Sequence, residues 1–100
     1  MKEYMVTVYL PDIFTEEFLA TIPAHQAHVN ELLERNVLLQ YSLSTDHRFM
    51  WMVVLASSEE SVENILKLLP LSEHFHYHIS ELIVHSKAGF TPTPVRFLLN

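Results

Sequence analysis

The chain has no cysteine, a single glycine (Gly89), and only six lysine or arginine residues against twelve acidic ones. Without thiols, disulfides and thiolate metal sites are excluded, and nothing ties the protein to an oxidising compartment. One glycine near the C-terminus leaves no glycine-rich phosphate loop and no Gly-x-Ser-x-Gly nucleophile elbow. The six basic residues form no cluster, and the net charge is −6 with histidine neutral. That excludes the basic patch that nucleic acid or an anionic membrane surface demands. No run nears the ~20 apolar residues of a membrane-spanning helix. The start, Met1-Lys2-Glu3, lacks the apolar run of a signal peptide. The expectation is a soluble, cytoplasmic protein that binds neither nucleic acid nor membrane.

Hydrophobic residues, by contrast, are plentiful at 49% of 100 positions. A domain of this size buries only about 60–70% of its unfolded surface. The surplus predicts association with further copies. Seven histidines stand out beside the few other basic groups, and they are the side chains whose charge changes between about pH 7 and pH 5.5.

Alternation marks Tyr4–Leu10 as a strand, with Tyr4, Val6, Val8 and Leu10 on one side. Pro11 and Asp12 end it. A helix follows from about Thr15, with Thr15 or Asp12 as cap and Glu16 and Glu17 suited to the positive end of the dipole. Pro23 removes a hydrogen bond and crowds the preceding turn, so a kink or restart is expected before the helix resumes to about Asn36. Leu38–Ser44 and Arg48–Ala56 read as a hairpin around Thr45-Asp46-His47. The second of these strands is apolar on both faces and belongs at the centre of a sheet. Ser57, with Glu60 three positions on, has capping-box spacing. Val62, Ile65, Leu66 and Leu69 then form one apolar stripe.

The segment from about His74 to His85 supplies a fourth strand. Phe75, Tyr77, Ile79 and Ile83 share one face, and His76, His78, Leu82 and Val84 share the other. Glu81, in line with Tyr77 and Ile79, needs either a partner or an edge position. The order β-α-β-β-α-β is the ferredoxin-like split βαβ arrangement, an α+β fold with a four-stranded antiparallel sheet and both helices on one face. The third and fourth strands are apolar on both faces, so the bare face needs cover. A second copy packed sheet to sheet, in a dimeric α/β-barrel arrangement, supplies it most simply. Residues 1–85 make one domain. Gly89, Pro92 and Pro94 forbid a regular helix in 86–100, an extended arm expected to dock on a neighbouring subunit.

At about 100° per residue, Phe18, Ile22, Val29, Leu32 and Leu33 fall in one stripe of the first helix. His25 lies near its middle and His28 at its margin. His25 is therefore expected to face the sheet, either as a core histidine bonded to a neighbour or as a proton-transfer group whose pKa burial lowers. His28 and Tyr41 are candidate ligand contacts, as are His76 and His78, which point the same way from the last strand. His-x-His on a strand and His-x-x-His on a helix do not make a metal site without a carboxylate or third motif, and no metal is expected. On its residues alone the chain reads as a small oligomeric domain with a histidine-bearing pocket.

The segment Ile65-Leu66-Lys67-Leu68-Leu69-Pro70-Leu71, followed by a strand ending in Leu82-Ile83-Val84-His85, resembles the corresponding end of the muconolactone isomerase family. There too the second helix finishes in Leu-Pro-Leu and the last strand runs to a histidine. Glu31-Leu32-Leu33-Glu34-Arg35 and the chain length are compatible. The resemblance implies a ferredoxin-like fold, homodimers that assemble into larger rings, and no metal or organic cofactor. It also implies movement of a proton within a small unsaturated lactone, as in the breakdown of aromatic compounds. Such chemistry needs one group to take a proton beside a conjugated carbonyl, another to return it, and donors for the developing enolate oxygen. The expected proton-transfer residue is His25, assisted by Tyr41 or a further histidine. The alternative is a non-catalytic oligomer of the same fold that binds a small molecule in that pocket.

Overall fold

The computed structural model describes residues 1–83. Its elements are β1 (Lys2–Tyr9), α1 (Glu16–Glu34), β2 (Leu38–Leu43), β3 (Phe49–Ala56), α2 (Glu59–Lys67), a 3-10 turn (Ser72–His74) and β4 (His76–Leu82). The strands form one antiparallel sheet in the order β2-β3-β1-β4. This is the expected ferredoxin-like α+β fold, with β3 beside β1 at the centre. Val84, His85 and the arm 86–100 lie outside the described residues, and with them the domain boundary at residue 85. No helix among the described residues is long and apolar enough to cross a membrane.

The register explains which face is covered. Val6 stands opposite Met52 and Ile79, and Val8 opposite Met50 and Tyr77. Tyr4, Val6, Val8, Met50, Met52 and Val54 form a continuous core with Phe18, Val29 and Leu32 of α1 and Val62 and Leu66 of α2. Both helices therefore cover one face. The other carries Met5, Phe49, Trp51 and Leu55, all half-buried. Tyr9 meets Phe49 edge-on at 5.8 Å, and Phe49 stacks on Trp51 at 5.8 Å.

Several local expectations need correction. Thr15 caps α1, its hydroxyl accepting from Phe18 N–H, while Asp12 pairs with Arg48 at 3.2 Å. The helix does not restart at Pro23 but runs on as one element to Glu34. Interior proline costs roughly 3 kcal/mol, yet Phe18 on one side of it and His25, Val29 and Leu32 on the other are all buried against the same sheet. That shared packing outweighs the missing bond. The helix ends through Asn36, whose φ of 58° suits an asparagine in the left-handed region. There Val37 N–H donates to Leu32 O and Asn36 N–H to Leu33 O, which closes the last turn as a Schellman motif.

The second helix starts one residue later than expected. Its cap is Ser58, which accepts from Ser61 N–H at 3.2 Å; Ser57 bonds only the Ser61 hydroxyl. Strand β4 begins at His76 and not at His74, because Ser72–His74 first forms a 3-10 turn. It is also an edge strand with exposed His76, Tyr77, His78 and Glu81, so it is not apolar on both faces. Glu81 takes the edge position, 3.4 Å from Lys2 Nζ.

Candidate functional site

The turn Leu69-Pro70-Leu71 carries the chain from α2 to the 3-10 turn. Leu69 O accepts from Ser72 N–H and Leu71 O from His74 N–H, both at 2.9 Å. The N–H of Leu71 is left pointing inward, where it donates to Nδ1 of His25 at 3.4 Å. His25 sits on the buried stripe of α1 and is only 2% exposed. A nitrogen that accepts a hydrogen bond carries no proton, so the neutral ring has its proton on Nε2. That Nε2 is buried and has no hydrogen-bond partner among the described residues. Leaving such a group unsatisfied costs about 1–3 kcal/mol.

Burial, reinforced by the neighbouring charge of His28, lowers the His25 pKa to about 4. At neutral pH the ring is therefore uncharged. It lines a cavity of about 100 Å³ whose apolar walls include Phe14, Phe18, Ile22, Leu43, Met50 and Leu71. The polar side chains on those walls are Gln26, Tyr41 and His47. Among the described residues no lysine, arginine or carboxylate lines it.

Tyr41 comes from β2, its ring 6.3 Å from that of His25. Its hydroxyl donates to Met50 Sδ at 3.0 Å, a weak acceptor. Burial raises the phenol pKa, which keeps the hydroxyl protonated. His47 comes from the β2–β3 turn and has a φ of 60°. The turn is fixed by a web of bonds: Asp46 Oδ1 accepts from Ser44 Oγ at 2.6 Å and from Arg48 N–H at 3.1 Å, and Ser44 Oγ accepts from Phe49 N–H at 3.0 Å. The Ser44 hydroxyl and the Arg48 N–H hold the Asp46 carboxyl below its usual pKa. His47 also borders an open groove of about 800 Å³ with Phe14 and Ile22, where Asp12, Asp46 and Arg48 stand. The groove and the cavity thus share a rim.

The sequence candidates are thereby sorted. His25 and Tyr41 come together. His28 lines a separate pocket of about 350 Å³ with Arg35, Ser57 and Ser61. His76 and His78 pair with Tyr9 and Thr7 on the opposite face of the sheet, and both are exposed. Among the described residues no three histidine or carboxylate side chains converge as metal ligands. His47 and Gln26 had no signal in the sequence. His47 reads there only as a turn residue, and its place depends on the turn folding back towards Phe14 and Ile22.

No protein-family model matches the chain, and no curated protein sequence matches it. Among solved structures, the crystal structure of muconolactone isomerase at 3.3 Å resolution aligns with a TM-score of 0.70. The alignment covers 92% of this chain and 99% of that one, at 16% sequence identity. The likeness is one of fold. At that identity the roles of the cavity side chains rest on their own geometry.

Proposed function

We propose that the chain is a muconolactone isomerase-like protein that moves a proton within a small unsaturated lactone or related carbonyl compound, without a cofactor. The observation that carries this reading is His25: neutral, buried, unpartnered at Nε2, and in the lining of an apolar cavity. The shared fold agrees with it. Loss of a proton from carbon beside a conjugated carbonyl sends an electron pair towards the carbonyl oxygen. Return of the proton at the other end of the conjugated system moves the double bond. The reaction consumes no oxidant, so side chains suffice. His25 contacts the reacting group, and Tyr41 stands beside it.

The protein acts as a cytoplasmic homodimer or larger homo-oligomer, with the Met5, Phe49, Trp51 and Leu55 face against a second copy. His28, His76 and His78 lie outside the cavity and take no part in this step. Incubation with muconolactone, followed by the loss of its ultraviolet absorbance, tests the reading. Turnover by the native chain and its loss in His25→Phe are expected. Absence of turnover by the native chain, or unchanged turnover by the variant, overturns it.

A further inference from the structure

We infer that His25 meets its ligand as a hydrogen-bond donor and not as a proton acceptor, and that the part of the ligand entering the cavity is an uncharged carbonyl group. The inference rests on the reading of this cavity as the ligand site and goes beyond it by fixing the direction of the hydrogen bond. Nδ1 is already engaged by the N–H of Leu71, and two N–H groups cannot face each other at 3.4 Å. The single proton of the neutral ring is therefore on Nε2. An acceptor oxygen satisfies that N–H, whereas an ammonium or amide N–H presented to it leaves both groups unsatisfied.

The wall chemistry fixes the charge. A carboxylate in this cavity meets no lysine or arginine among the described residues, and an ion buried without a counter-charge is strongly disfavoured. A carbonyl oxygen that gains negative charge only while the proton is in transit suits a fixed neutral donor. The catalysed step then divides between two groups. A base removes the proton from carbon, the electron pair moves onto the oxygen held by His25 Nε2–H, and the same proton returns to a different carbon. Among the described residues His47 is the other histidine on the cavity wall, and it has the free access to water that His25 lacks. Any charged portion of a larger ligand is left in the adjoining, open groove, which holds Asp12 and Asp46 as well as Arg48.

The full-length protein labelled with nitrogen-15 at histidine tests the tautomer, and 2-cyclohexen-1-one serves as an uncharged carbonyl probe. The His25 ring is expected to be the neutral Nε2–H form, both free and with the probe bound. The carbonyl stretch of the bound probe is expected to shift to lower frequency. In His25→Phe that shift disappears and binding weakens about tenfold. His25→Gln places an amide N–H at similar reach and cannot act as a base, so it is expected to restore the shift and most of the binding. A ring protonated at Nδ1, or a His25→Gln variant no better than His25→Phe, overturns the donor role while leaving the cavity reading intact. Failure of the native chain to bind the probe overturns both.

Discussion

At the scale of single residues, the proposed chemistry depends on how one backbone N–H constrains one imidazole. Burial holds the His25 pKa at about 4, against an ordinary value of 6.5. As pH falls, the unfolded chain takes up this proton first, so the stabilising difference is complete above about pH 6.5 and is lost on descent towards pH 4. The loss is on the order of 3 kcal/mol, about 2 kcal/mol of it by pH 5. Urea denaturation of the native chain at pH 7 and pH 5 is expected to show that drop, and His25→Phe a smaller one; parallel drops contradict it. Tyr41→Phe removes only a bond to a thioether, and is expected to cost less than about 1 kcal/mol in the same measurement. The burial of His25 was legible from its place in the stripe Phe18–Val29–Leu32. Its tautomer was not, because the bond comes from Leu71, 46 positions away.

At the scale of elements, alternation and helical periodicity identified all four strands and both helices, since each buries one face. The misreadings are local contests that packing decided. Pro23 lies within α1 on an exposed position, and Pro23→Ala is expected to raise stability by roughly 1–3 kcal/mol through the restored bond and relieved crowding. A variant less stable than the native chain contradicts a continuous helix held by packing. For α2, Ser58→Ala is expected to cost about 1 kcal/mol and Ser57→Ala much less. Equal costs contradict the assignment of the cap. The Leu69-Pro70-Leu71 segment, legible as a helix stop, has a second role that no periodicity reveals: it delivers the Leu71 N–H to His25.

At the scale of the whole molecule, the sheet face away from the helices keeps a half-buried apolar surface of Met5, Phe49, Trp51 and Leu55. Tyr9, Phe49 and Trp51 form an aromatic row there, and the second copy proposed for that face would withdraw the row from water. Light scattering is expected to give a dimer or larger assembly, and Trp51→Lys a smaller species; a native monomer of 11.7 kDa contradicts this. The candidate histidines His25, His28, His76 and His78 are distributed by the fold to three places, and of these four only His25 shares the cavity with Tyr41. Sequence order separates the strands His76–Leu82 and Leu38–Leu43, and only the sheet topology decides which face each histidine takes.

The central claim is that small carbonyl compounds react at His25 in this cavity. Its most direct test is the rate of muconolactone consumption by the native chain and by His25→Phe, with matched circular dichroism to establish that both are folded. The account predicts turnover by the native chain and a loss of about 100-fold or more in the variant, the scale of removing a donor to a developing oxyanion. Equal rates, or no turnover by the native chain, would contradict it.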